Sequence, residues 1–542
     1  MPFIVALLAA LSCAAQTADL VVIHANIYTG ERSRPRAKAL AVQGGKILAV
    51  GDDLGRHVGA STKTIDAKGA TVVPGFIDSH GHMRGLGESL ENLDFRSSKS
   101  SGAVAAMVAK EAARRKPGEW ILGRSWDQTQ WPGSEFPNAD ELSRGAPNNP
   151  VFLTRVDGHA AWVNRKALEM ADIQTATPDP AGGRIIRESS GRPSGVLIDR
   201  AQELVRRRIP ALTRGQIQAR LVRAAAECAR LGLTSVHDAG ISAEDLAAYR
   251  ELVLSNRLPV HVYAMIRGEG SLWEEYLRRG PEVGEWLTVR SIKLMADGAL
   301  GSRGAAMKDP YTDEAGNRGL LLLRKEDIAR VGKAAVKAGL QVNTHAIGDR
   351  GNRTVLEAYA EALGGKNDHR FRVEHAQIVS VTDMPMFQQY SVIASMQATH
   401  ATSDMRWAHL RVGPQRIGGA YAWRKYLDLG VTVANGSDFP VESANPLWGF
   451  YAAVTRQDQQ GSPAGGWMPE HRMSREEALR SWTLSGAYAG FEEKMKGTLA
   501  PGKGADFVLL TQDIMTIAPA EILRARVRMT VAGGRVVYEE NP

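Results

Sequence analysis

The chain has 542 residues, 44% hydrophobic and 23% charged, a balance that suits a folded protein of more than one domain with a large core. Its charge of +8, from 67 Lys and Arg against 59 Asp and Glu, is spread along the chain without a basic block, which argues against nucleic-acid binding. The only two cysteines, Cys13 and Cys228, exclude a disulfide framework and any CxxC metal site, so a metal would have to sit on His, Asp, Glu or a modified Lys.

In chain order, residues 3–11 (FIVALLAAL) form an apolar run followed by small residues, which reads as a secretory signal peptide over residues 1–18. The expectation is export to a periplasm or medium. A mis-chosen start codon or a buried first strand would instead leave the chain cytoplasmic. Cys13 is a candidate lipidation site in a poor lipobox. The run is too short for a stable membrane span, and no later segment is apolar enough for one.

Short strands follow at 20–23, 26–28, 39–42 and 46–50, with Gly44-Gly45 as a hairpin turn between the last two. Residues 506–510, 527–531 and 535–538 repeat that style around Gly533-Gly534. Residues 19–70 and 496–542 are therefore expected to build one β-sandwich from both termini. Between them, apolar runs ending in polar residues occur at 71–78, 233–238, 259–265, 290–297, 340–345, 371–375, 391–397 and 431–438. Helical segments separate most of them. Those at 217–231 and 326–338 stop at Gly232 and Gly339, and Ser474 to Glu477 reads as a capping box. Eight strands alternating with helices predict an α/β fold, a (β/α)8 barrel over residues 71–495. The long stretch between the first two runs predicts an inserted subdomain over residues 90–230. Emerging after the first barrel strand, it is expected at the catalytic face, where it can cover a substrate.

His80-Gly81-His82 follows the first run, and alone it is a weak signal. Its weight comes from position. Lys293 lies in the fourth run, His345 ends the fifth, His375 the sixth and Asp438 the eighth. All fall near the C-terminal ends of strands, where barrel active sites are built. Imidazoles and carboxylates suit zinc and related divalent ions. Such an ion yields hydroxide from its water near neutral pH, and Asp438 is placed to take the proton and hand it to a leaving amine. His24, His57, His261, His369, His400, His409 and His471 read as ordinary core or surface residues. A protonated Lys293 would oppose a cation. It is either a buried lysine paired with Asp297, a lysine facing substrate, or a carbamate formed with CO2 that bridges two ions.

The stretches VVPGFIDSHGHM, GRSWDQTQWPG, TRVDGHAAWVN, TSVHDAG, SIKLMADGALGSRGA, NTHAIGDRG, VEHAQ, NGSDFPVE and GTLAPGKGADFVLL resemble the amidohydrolase superfamily. The similarity is strongest to the branch that holds N-substituted formamide deformylases. The resemblance implies a distorted β/α-barrel with a composite β-sandwich and one or two divalent ions. It also implies that His80, His82, Lys293, His345, His375 and Asp438 are the metal ligands, with Lys293 often carboxylated in such enzymes.

Around that centre, His159 is either an oxyanion donor or a helix-capping loop residue. Trp126, Asp127, Arg303 and His237 are candidate substrate contacts, with a role for His237 and Asp238 in orienting a ligand as the other possibility. The expected activity is hydrolysis of a non-peptide carbon–nitrogen bond in a small amide, such as an N-formyl or N-acyl amine. The same ligands would serve an ester, lactone or cyclic amide, or an isomerisation. A non-catalytic binding protein is the remaining alternative, which Asp438 lying far from the histidines would favour. A homo-oligomer is compatible with all of these.

Overall fold

Gly44 and Gly45 lie at φ 55 and 77, and Gly533 and Gly534 at φ 55 and 74. Two successive left-handed residues are what a tight hairpin demands, and glycine adopts them without steric penalty. The first turn joins strands Ala39–Gln43 and Lys46–Gly51, the second Val527–Ala532 and Arg535–Glu539. Ala505 ties the turns together: its N–H donates to the Gly45 carbonyl and its carbonyl accepts from Gly534 N–H, at 2.9 and 3.0 Å. Each turn belongs to its own sheet. One runs Lys46–Gly51, Ala39–Gln43, Leu20–Ile23, Lys63–Asp66. The other runs Arg535–Glu539, Val527–Ala532, Phe507–Leu510, Thr71–Pro74, Asn26–Tyr28, Arg36–Ala37. Val22, Leu40, Ile27, Val72, Phe507 and Val531 fill the space between them. Both termini thus build the expected sandwich.

The computed structural model describes residues 16–541 except 129, 130, 156, 157, 159, 181 and 182, and except the side chain of Asp199. The signal-peptide reading therefore falls almost wholly outside the described residues, as does Cys13. The chain divides into one unit holding the residues up to Met83 together with those from Leu221 onward, and a second of Arg84–Arg220.

The first unit contains the barrel. Its strands are β1 (Phe76–Gly81), β2 (Leu233–Ile241), β3 (His261–Arg267), β4 (Leu287–Met295), β5 (Gln341–Ala346), β6 (Arg372–His375), β7 (Ile393–Met396) and β8 (Val433–Asn435). Each pairs in parallel with the next. Their residues are buried almost throughout, the polar ones included, because a parallel sheet is covered on both faces. The run at 71–78 proves to serve two sheets. Gly75 N–H bonds Asp506 in the sandwich, while Phe76 N–H bonds Gly232 at the barrel's second strand. Both halves are buried, so hydrophobicity does not mark the break.

No strand ladder joins β8 to β1; the segment after β8 closes that seam. Asp438 N–H donates to the His80 carbonyl at 2.7 Å, and His82 N–H to the Phe439 carbonyl at 2.8 Å. The buried Asp78 carboxylate accepts from Ser437 Oγ–H at 2.6 Å and from the His80 and Ser437 N–H groups. The helix Lys325–Ala338 ends at Gly339, φ 70, and Ser474 opens the helix Arg475–Ser481 through a reciprocal capping box, as their sequences predict. Among the described residues no helix is long and apolar enough to cross a membrane.

The second unit carries a six-stranded sheet in the order Gly183–Arg187, Pro193–Asp199, Ala160–Val163, Val151–Arg155, Ile121–Trp126, Leu93–Asp94. Trp126, Trp131 and Trp162 form its core, with ring centroids 6.0 to 6.2 Å apart. Each indole N–H is satisfied by a backbone carbonyl, of Leu153, Ser98 and Asn138 respectively.

Candidate metal centre and its pocket

His80 near the end of β1 and His82 just past it bring their imidazoles to one carboxylate. His82 Nε2 lies 3.0 Å, and His80 Nε2 3.6 Å, from Asp438 Oδ1. Lys293 Nζ, from β4, is 3.2 Å from His80 Nε2. The His375 ring, at the end of β6, is 4.9 Å from that of His80 and 4.6 Å from that of His345 on β5. All six residues read as ligands line one cavity of about 460 Å³. Asp438 is therefore beside the histidines, where hydrolysis would need it.

The donor chemistry fits a divalent cation. Ligand atoms of His80, His82 and Asp438 lie within 4.8 Å of one another, as do those of His375, His400 and Asp438. Burial, reinforced by the neighbouring Lys293, holds the His80 imidazole well below its ordinary range; burial and His345 do the same to His375. His345 is lowered to about 4 by burial and Lys293. These rings are neutral at physiological pH and keep lone pairs for a metal. Burial alone would push the Asp438 carboxyl up, but the His82 hydrogen bond and the surrounding imidazoles outweigh it and hold it well below the usual range. Burial lowers Lys293, which favours its neutral amine.

Acceptors behind the histidines orient them. His80 Nδ1 meets Glu374 Oε2 at 2.5 Å, both side chains being fully buried. His375 Nδ1 meets Gln397 Oε1 at 2.8 Å. Such partners fix the tautomer and leave Nε2 to face an ion. Sequence reading missed Glu374, since neighbours on a strand point to opposite sides. His375 at φ 74 breaks that alternation, so both reach the centre. His400 was also missed: read as an ordinary residue, it lines the pocket four positions past β7. The strand-end rule that found the others could have found it.

Several of the expected contacts are buried or engaged with other partners. Trp126 has no accessible surface and no face for a substrate. Asp127, also in the second unit, pairs with Arg155 at 2.9 Å. Arg303 does not line the pocket; Asp313 holds its guanidinium through two bonds of 3.0 and 3.1 Å, and Glu314 lies 3.3 Å away. His237 is fully buried outside the pocket lining, bonded to Arg372 at 3.0 Å, so it is no substrate contact. Asp238 accepts from Met83 N–H and Tyr249 O–H, and burial raises its carboxyl to about 6. Asp297 does not pair with Lys293; it accepts from the N–H groups of Ala306, Ile347 and Gly348. His159 lies outside the described residues. The pocket wall itself is largely apolar: Met295, Leu300, Ile347, Trp407 and Val441.

Similarities to known proteins agree with this centre. The chain is 34% identical to the Arabidopsis thaliana protein LONG AFTER FAR-RED 3 over 96% of its own length and 92% of that protein's. It is 27% identical to the N-substituted formamide deformylase of Arthrobacter pascens, covering 97% and 99%. A solved structure of an uncharacterised metal-dependent hydrolase from Pyrococcus furiosus superposes with a TM-score of 0.78 at 29% identity, covering 92% of this chain and all of that one. The amidohydrolase family model matches residues 63–538, and the chain belongs to the amidohydrolase family.

Proposed function

We propose that the chain is a metal-dependent hydrolase of a non-peptide carbon–nitrogen bond, acting on an N-formyl or N-acyl amine with an apolar substituent. One observation carries this reading. Asp438 turns Oδ1 to His82 and His80, while Oδ2 faces His400 across the pocket. A carboxylate so placed both holds a cation and exchanges a proton. His80, His82 and Asp438 would hold one divalent ion, zinc on this donor set, with Lys293, His345 and His375 available for a second. Such an ion polarises a carbonyl and acidifies water. Asp438 Oδ2 takes the proton of the attacking water and passes it to the leaving amine, so the amine departs neutral. The Met295, Leu300, Ile347 and Trp407 wall receives the apolar substituent. The neutral form of the Lys293 amine, favoured by burial, adds through Nζ to CO2 and releases a proton, and the resulting anionic carbamate would be available to a second ion.

The test is elemental analysis of the purified protein, then assay against N-formyl amines, N-acyl amines, cyclic amides and esters. Bound zinc with turnover of an N-formyl or N-acyl amine supports the reading. A metal-free active protein, or turnover of esters alone, would overturn it. Two ions in bicarbonate-treated protein, falling to one in Lys293→Ala, is the outcome expected of a carbamate. We also propose that residues 1–18 direct export; N-terminal sequencing of protein from the producing cell would show cleavage near Ala15 to Ala18, and an intact cytoplasmic form would refute it.

A further inference from the structure

His400 lies in the helix Ala398–Asp404, immediately past β7. Its ring lies nearly parallel to that of His375, 17° apart in plane with centroids 5.9 Å apart. Nε2 is buried, points at Asp438 Oδ2 from 3.7 Å, and among the described residues has no hydrogen-bond partner. That distance is beyond a hydrogen bond. A buried polar atom left unpaired calls for an explanation, and one aimed into a pocket beside a catalytic carboxylate has a natural one in the ligand.

Two roles compete for this nitrogen. With His375 and Asp438 it could hold an ion, since the three offer atoms within 4.8 Å of one another. Alternatively it could meet the substrate. The surroundings of the ring separate these roles. His80 and His375 each have an acceptor behind them, Glu374 and Gln397, which fixes the tautomer and raises the ring's basicity as a ligand. Among the described residues neither ring nitrogen of His400 has such an acceptor, and the ring packs on His375. An unbacked ring on the pocket wall can present an N–H to whatever enters.

We infer that His400 is a further catalytic residue, donating Nε2–H to the carbonyl oxygen of a bound acyl or formyl substrate. This rests on the hydrolytic reading above and deepens it. The substrate's oxygen would sit on the His400 side of Asp438, so that negative charge developing on it strengthens the hydrogen bond. This is one of the two roles that the sequence offered for His159.

The test uses His400→Ala and His400→Gln beside wild type, each zinc-loaded, with three readouts. These are metal content, kinetics on an N-formyl amine that wild type hydrolyses, and calorimetric binding of acetohydroxamate as a carbonyl probe. Both variants are expected to keep wild-type zinc content. His400→Ala should lose about 100- to 1,000-fold in kcat with little change in KM, the usual effect of deleting one donor to a developing oxyanion. His400→Gln, which restores an N–H, should recover about tenfold of that loss, and acetohydroxamate should bind about tenfold more weakly to the alanine variant. Loss of zinc from either variant would make His400 a ligand and overturn the inference, as would a kcat close to wild type. If wild type turns over no amide, the hydrolytic reading fails by itself; acetohydroxamate binding equally to wild type and His400→Ala would then overturn the role of His400.

Discussion

His375 and Asp438 hold left-handed backbone, φ 74 and 59, a conformation that costs a non-glycine residue of order 1 kcal/mol. Strain at two candidate ligands has a purpose at the level of side chains. It turns His375 to the same centre as its neighbour Glu374, and it swings Asp438 back over β1 to meet His82. Glu374 in turn sets the direction of His80. We predict that Glu374→Gln weakens zinc binding about 10- to 100-fold, the usual effect of losing an acceptor behind a ligand. A chelator-competition titration measures this, and unchanged affinity would show that His80 needs no such partner. Asp438→Ala is expected to abolish turnover without altering the circular dichroism spectrum. Retained activity would remove Asp438 from the proton pathway.

At the scale of elements, Gly81 shows how a motif can be right for another reason. Between two ligand histidines a glycine would let the backbone pass close to an ion. In the structure a Cβ at this position would lie 2.5 Å from the Phe439 ring, in the segment that closes the barrel behind β8. Gly81→Ala is predicted to cost about 1–3 kcal/mol through overpacking and to lower activity by displacing His80 or His82. Denaturant melts and zinc affinity together check it; a stable variant with normal affinity would contradict the packing argument. Trp126 is the parallel case in the second unit. With its ring fully buried against Trp131 and Trp162, Trp126→Ala is predicted to destabilise that unit by about 3–5 kcal/mol. Limited proteolysis should then cut first within residues 84–220, and wild-type resistance would argue against a core role.

Across the first unit, Asp506 joins the sandwich to the barrel. Its Oδ1 accepts from Gly533 N–H at 2.7 Å and lies 3.1 Å from His261 Nε2, at the start of β3. Burial opposes its ionisation, yet His261 and the further partners outweigh burial and lower its carboxyl below the ordinary range. A carboxyl lowered on folding stabilises the fold above its unfolded value, roughly 3.9, and loses that contribution as pH falls through the folded value. Asp506→Ala is therefore predicted to cost about 1–3 kcal/mol near neutral pH, where Gly533 N–H and His261 lose their buried acceptor, and less in acid. Chemical denaturation at neutral pH and below about pH 4 tests the sign; an equal deficit at both would refute the linkage.

The strand order, the sandwich from both termini and the approach of His80, His82, Lys293, His345, His375 and Asp438 to one pocket were legible in the chain. These depend on local signals: apolar runs, turn glycines and polar residues at strand ends. The partners of those residues were not legible. Glu374 meets His80 from 294 positions away, and His400 meets Asp438 only because the segment after β8 folds back across β1. Trp126 reads the same whether it lines a pocket or a core. Local periodicity specifies which elements form. Barrel closure, and a backbone angle that changes sign at His375 and Asp438, decide which side chains share the space between them.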